Sequence, residues 1–240
     1  MLIGKLRAVG DRIIGIIEII QRLGWLPGLR LGSLHGIGGC WYTFLARMNA
    51  FARAVGGVEV VPMKEAAQML LFETARLCVR QLEDGDADDL FAICRDPVAM
   101  QWMGDGQPLT FEQCQRWIAV SQRNYATHGF GASAVELRAA PGLIGFCGLV
   151  FAAGSSTPEI IYGFGRRWWG QSYASEVVPA MLRYGIETCR LARILATIDP
   201  QNLASCRVVE KAGMRFEGLE PEPEGQAIRV YAIERQGLSI

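Results

Sequence analysis

The residues best suited to chemistry stand at 165–176, reading Gly-Arg-Arg-Trp-Trp-Gly-Gln-Ser-Tyr-Ala-Ser-Glu. Gly170, Ser172 and Ala174 leave the backbone nearly bare just before a helical pattern begins. A helix start exposes N–H groups that lack partners and carries a partial positive charge. Without bulky side chains in the way, an anion can rest directly on those groups, and Arg166 and Arg167 add charge beside them. A diphosphate is the natural occupant. The stretch lacks G-x-x-x-x-G-K-[ST] and has no lysine near it, which argues against nucleoside-triphosphate hydrolysis. It also lacks G-x-G-x-x-G and the long parallel sheet of a dinucleotide fold. The competing reading is an ordinary strand-to-helix turn whose tryptophans, Trp168 and Trp169, pack into the core.

Composition narrows the class. Half of the 240 residues are apolar, ample for a core, and the formal net charge is zero, which argues against a general nucleic-acid binder. The seven cysteines are scattered without a C-x-x-C, and only His35 and His128 accompany them. No metal site is expected from that spacing; buried thiols in a reducing cytoplasm are. The apolar run at 13–20 is interrupted by Gly15 and Glu18 and falls far short of the roughly 20 residues of a membrane span. Neither a span nor a cleaved leader is expected.

Positioning the 165–176 turn takes a strand before it and a helix after it. The run 74–82 alternates and reads as a strand. Residues 86–97 read as a short helix ended by Pro97. Thr110, three residues before Gln113, opens a helix with a capping box, and Gly129 stops it. Strands at 130–137 and 143–150 flank Pro141-Gly142, a hairpin signal. A third strand spans 159–165, followed by a helix to about Cys189. Pro179 within that helix predicts a loosened or kinked first turn. A strand at 193–199, a helix from Asn202 to Gly213, and strands at 214–220 and 227–235 complete the chain. The order β-α-α-β-β-β-α-β-α-β-β gives an α+β fold. Its central sheet is mixed and mostly antiparallel, with flanking helices and one strand–helix–strand crossover.

Two longer patterns then join the turn. Residues 169–177 follow W-G-x-G-Y-A-[ST]-E-A except at Ser172 and Val177, and Asn202, Ser205 and Gly213-Met214 fit N-x-x-S…G-[FM]. With the opening FETARLCVRQLEDGDADDLFAI, they make residues 71–235 resemble the GNAT N-acetyltransferase superfamily, and within it the RimJ/RimL-like branch of ribosomal-protein N-acetyltransferases. The resemblance implies a GNAT fold, acetyl-CoA as co-substrate, and direct transfer of the acetyl group to a primary amine. The acceptor would be a protein N-terminus, an amino acid, a metabolite or an antibiotic, and the enzyme a cytoplasmic monomer or homodimer. The implied cofactor-binding residues are Phe164, Gly165, Arg166, Arg167, Gly170, Gln171, Ser172, Tyr173, Ala174, Asn202 and Ser205. The diphosphate would lie on the N–H groups of 170–174 and the pantetheine along the end of strand 159–165, where Gly163 and Gly165 permit close backbone approach. Ser172 departs from the glycine or alanine of the superfamily signature.

Acetyl transfer to an amine needs a neutral amine, a polarised carbonyl and a proton for the departing thiolate. Glu159, heading Glu159-Ile160-Ile161-Tyr162, is the candidate base. For the acid the resemblance points to Ser205, with Tyr162 as its alternative. Each also has a plain structural reading: Glu159 a solvated strand end, Ser205 a first-turn helix serine, Tyr162 a core residue, Asn202 an N-cap. Trp102 walls the acceptor site or packs in the core. A catalytically inactive coenzyme A-binding sensor is the alternative function.

The chain changes character near residue 63, so the acetyltransferase domain is expected at 63–240. Residues 1–62, with seven basic and three acidic side chains, have no counterpart in the family pattern. They read as a mobile or helical appendage, as a basic apolar surface anchor, or as translated sequence upstream of a natural start at Met63 or Met69. The last is favoured, because the family's usual beginning falls there.

Overall fold

The structure, a computed structural model, describes residues 70–152, 154–221 and 227–235. The boundary expected at 62/63, the extension before it, His35 and Cys40 lie outside these residues. The strands are Leu70–Glu73 (β1), Leu77–Gln81 (β2), Ala132–Leu137 (β3), Ala140–Phe151 (β4), Pro158–Phe164 (β5), Arg193–Ile198 (β6), Arg215–Pro221 (β7) and Ala227–Glu234 (β8). The α-helices are Ala87–Cys94 (α1), Pro97–Met100 (α2), Phe111–His128 (α3), Tyr173–Arg183 (α4) and Leu203–Lys211 (α5). The strands form one sheet in the order β1-β2-β3-β4-β5-β6-β8-β7. Neighbours run antiparallel except β5 and β6, which are parallel and joined through α4. The mixed α+β sheet with a single crossover is therefore as the sequence pattern implies.

Alternate side chains of each strand project to opposite faces. One face buries Leu77, Val79, Val135, Cys147, Leu149, Ile160, Ile194 and Tyr231 with residues of α4 and α5. The other buries Ala132, Ala134, Leu143 and Phe146 with residues of α1 and α3. A fully buried leucine or isoleucine stabilises by roughly 1.5–3 kcal/mol, so these two layers fix where the strand ends and their loops lie.

Several local features differ from the sequence pattern. The run 74–82 is not one strand. The Thr74 N–H donates to the Leu77 carbonyl at 2.9 Å, and the Thr74 hydroxyl accepts from the Leu77 N–H at 3.1 Å. That tight turn folds β1 back on β2. Pro97 begins a helix: Asp96 accepts from the Val98 N–H at 3.0 Å, and Pro97 sits in the first turn, where its missing N–H costs little. The β3–β4 turn lies at residues 138–139, while Gly142 sits inside β4 at φ 121°, beside a shift in register. Pro179 lies in the second turn of α4, not the first, and the helix ends in a π turn over Tyr184–Thr188.

Other features hold. The Gln113 N–H donates to the Thr110 hydroxyl at 3.2 Å, and the Thr110 N–H donates to the Gln113 side chain at 2.6 Å. Gly129 ends α3 in the left-handed region at φ 78°. Cys94, Cys114, Cys147 and Cys206 are buried thiols.

Candidate active site

β5 and β6 are paired at a single position, Glu159 opposite Leu195. Beyond it the parallel strands part, which leaves the facing backbone edges of 160–164 and 196–198 without a partner strand. A cleft of about 680 Å³ opens there, lined by Ile160–Phe164 of β5, Ala196–Ile198 of β6 and Asp199 just beyond it. Its size suits a substantial small molecule. α4 follows β5 and α5 follows β6, so both helices start at this end of the sheet and turn their positive ends toward the cleft.

The 165–176 turn forms the mouth. The Gly165 N–H donates to the Ile144 carbonyl at 3.1 Å, and Arg166–Trp168 make one 3₁₀ turn. Trp169 Nε1 then donates to the Phe164 carbonyl at 2.7 Å. The Trp169 ring lines the cleft and remains 46 % exposed, so it is not the core residue that the simpler reading supposed. Gly170 and Ser172 are both left-handed, at φ 75° and φ 63°. Left-handed backbone costs a non-glycine residue about 1–2 kcal/mol, a cost that a glycine would not carry at Ser172. The Ser172 side chain does not cap the helix that it precedes. A Cβ added at Gly170 would meet nothing within 4 Å. The helix closes its first turn only where the Glu176 N–H reaches the Ser172 carbonyl, at 3.2 Å. The preceding N–H groups of α4 have no carbonyl of their own helix to meet. The residues present thus make an open cradle of backbone donors, which fits a phosphate group.

The expected binding residues divide. Phe164, Gly170, Ser172, Tyr173, Ala174, Asn202 and Ser205 line the cleft, whereas Gly165, Arg166, Arg167 and Gln171 stand outside its lining. Arg166 reaches Asp96 at 3.6 Å, and the Arg167 guanidinium lies 4.9 Å from the centre of the Trp168 ring. The Gln171 side chain donates to the Arg167 carbonyl at 3.4 Å and accepts from the Tyr173 hydroxyl at 3.1 Å. Gly163 is a glycine for packing: a Cβ there would fall 2.5 Å from the Phe146 ring.

Glu159 stands at the closed end of the cleft, just outside its lining, and accepts from the Thr197 hydroxyl at 2.8 Å. Tyr162, Ser205 and Asn202 form one bonded chain across the floor. The Tyr162 hydroxyl donates to the Ser205 carbonyl at 3.3 Å, and the Ser205 N–H donates to Asn202 Oδ1 at 3.1 Å. Burial pushes the Tyr162 phenol up to about 12. Trp102 lines the cleft from beyond α2.

Some contributors escaped the sequence pattern. Arg207 and Lys211, one turn apart on α5, line the cleft. Thr74 and Arg76, in the β1–β2 turn, bond to Glu176. Reading 74–82 as a strand hid that turn; Thr74, a residue that readily bonds its local backbone, was the available signal. Among the described residues no group of three or more His, Cys, Asp or Glu side chains could hold a metal, and no helix is long and apolar enough to cross a membrane.

Comparison with known proteins supplies the family. The model for the acetyltransferase (GNAT) domain matches residues 76–215. The uncharacterized N-acetyltransferase YnaD of Bacillus subtilis is 32 % identical over 146 residues, which cover 61 % of this chain and 83 % of YnaD. A solved GNAT-family acetyltransferase from Bacillus anthracis is 29 % identical, with a TM-score of 0.59 over 70 % of this chain and 99 % of that one. A RimL ribosomal-protein acetyltransferase solved with coenzyme A shares the fold at 14 % identity, with a TM-score of 0.60 over 69 % of this chain and 97 % of that one. A family match across more than half of the chain, laid over a sheet that parts between its two parallel strands, makes this protein a member of the GNAT acetyltransferase family and its chemistry acyl transfer.

Proposed function

We propose that the chain moves the acetyl group of acetyl-CoA directly onto a primary amine, as a RimJ/RimL-like N-acetyltransferase acting in the cytoplasm. The observation that carries this reading is the parting of β5 from β6 with the open 170–175 turn at its mouth. The N–H groups of 170–174 would receive the diphosphate. The unpartnered edge of β5 would bond the amides of the pantetheine, much as a sheet edge accepts an added strand. The CoA-bound RimL enzyme and the N-acetyltransferase relative support it by likeness. The acting unit in this reading is residues 63–240.

The amine nitrogen attacks the thioester carbonyl carbon, the C–S bond breaks, and the amine loses a proton. Glu159, steadied by Thr197, takes that proton by way of a water. Backbone N–H groups on β5 polarise the carbonyl. Ser205 and Tyr162 lie together on the floor, and the Tyr162 hydroxyl supplies a proton to the departing thiolate.

The test is thiol release from acetyl-CoA with a panel of peptide N-termini, amino acids and aminoglycosides. Turnover is expected with at least one class, together with a rise in melting temperature on adding CoA. Glu159→Gln should lower kcat by about 100-fold, the scale of general-base catalysis, with little change in the KM for acetyl-CoA. A rise in melting temperature without turnover on any amine would favour the sensor. The absence of any CoA effect would overturn the reading.

A further inference from the structure

The 170–176 turn is held from outside its own segment. Thr74 Oγ1 donates to Glu176 Oε1 at 2.6 Å, and the Arg76 backbone N–H donates to the same oxygen at 2.8 Å. Arg76 Nε donates to Glu176 Oε2 at 2.7 Å, and Arg76 Nη1 donates to the Gln171 carbonyl at 3.0 Å. The Arg76 guanidinium also lies 4.6 Å from the centre of the Tyr173 ring. The β1–β2 turn thus grips the start of α4 by a carboxylate, a carbonyl and a ring at once.

Two physical consequences follow from these contacts. Glu176 sits in the first turn of α4, where a carboxylate suits the helix dipole but repels a phosphate arriving at the same end. Burial alone would raise the Glu176 carboxyl, yet the Thr74 hydroxyl, the Arg76 N–H and the Arg76 guanidinium hold it below the usual carboxylate range. It stays charged, and its charge is cancelled by the paired guanidinium. The second consequence concerns orientation. Gly170 and Ser172 are both left-handed, and Ser172 supplies no cap of its own. A trans peptide points its C=O and N–H in opposite directions. Fixing the Gln171 carbonyl on Arg76 therefore fixes the Ser172 N–H on the side away from Arg76.

We infer that Arg76 is a positioning residue for the diphosphate: it sets the backbone donors of 170–174 in their receiving orientation and cancels the Glu176 charge beside them. The inference rests on the proposed placement of the diphosphate on this turn. Arg76 touches no reacting atom in that placement, so its effect belongs in co-substrate binding and not in the chemical step.

The experiment compares acetyl-CoA with S-acetylpantetheine, a thioester that lacks the diphosphate and nucleotide. Arg76→Gln should raise the KM for acetyl-CoA by about tenfold or more, the scale of a lost charge-assisted pair, with kcat nearly unchanged. The KM for S-acetylpantetheine should not move. Arg76→Lys should recover only part of the loss, because an ammonium supplies charge but not the two-pronged grip. Glu176→Gln added to Arg76→Gln should also recover part, by removing the uncovered charge. An equal loss on both thioesters, or no loss on either, would overturn the inference. If the unaltered enzyme shows no preference for acetyl-CoA over S-acetylpantetheine, the diphosphate placement itself fails, whatever Arg76 does.

Discussion

At φ 63° and ψ 20°, Ser172 occupies a conformation that L side chains rarely adopt. Its hydroxyl makes no cap in return, so Ser172→Gly should relieve strain without losing a bond. The gain, less the entropy that glycine adds to the unfolded chain, is up to about 1 kcal/mol, or about 2–4 °C in melting temperature for a domain of this size. Calorimetry without co-substrate checks this, and a fall would mean that the serine side chain has a partner beyond those seen. Other residues of the site were legible to different degrees. Smallness at 170, 172 and 174 shows in the sequence, but two left-handed residues so close together do not, because handedness depends on how the turn is held. The placing of Arg166 and Arg167 beside an anion relied on proximity along the chain. In three dimensions one turns to Asp96 and the other lies over Trp168.

Elements were easier to read than their junctions. Long periodic runs such as α3 and β5 follow from spacing alone, whereas turns are decided by a few bonds that register can override. Pro141-Gly142 is a good turn signal, yet the chain reverses at 138–139 and the glycine serves an irregularity within β4. One junction carries an exceptional load. Arg80 on β2 donates to both Asp86 oxygens at 2.7 and 2.8 Å and to Glu136 on β3 at 2.7 Å, and all three residues are buried. Burial opposes the guanidinium charge, but the two carboxylates more than offset it and hold Arg80 protonated. Arg80→Met would strand two buried carboxylates and should cost about 3–5 kcal/mol. Arg193→Met is the control. Arg193 pairs with Glu217 and Glu234 at a partly exposed position, where such pairs contribute about 1 kcal/mol or less. Urea denaturation of both variants measures the contrast, and equal midpoints would refute it.

For the molecule as a whole, the sheet with its single crossover was legible, because every strand but β1 was expected within a few residues of where it lies. The cleft was not legible from pattern, since no local rule says that two parallel strands will touch once and then part. That came only through the likeness of 165–177 and 202–214 to a family. The proposed unit 63–240 can be tested in the same terms. A chain beginning at Met63 should keep its solubility, its amine turnover and its response to CoA, and loss of any of these would give residues 1–62 a working part. The lone rung between Glu159 and Leu195 has a wider meaning. Strands β1–β5 and β6–β8 share an apolar core but almost no ladder, so the sheet is two panels meeting at a seam. Whatever bonds along that seam supplies the missing rungs, and part of the protein's cohesion then arrives with its cargo.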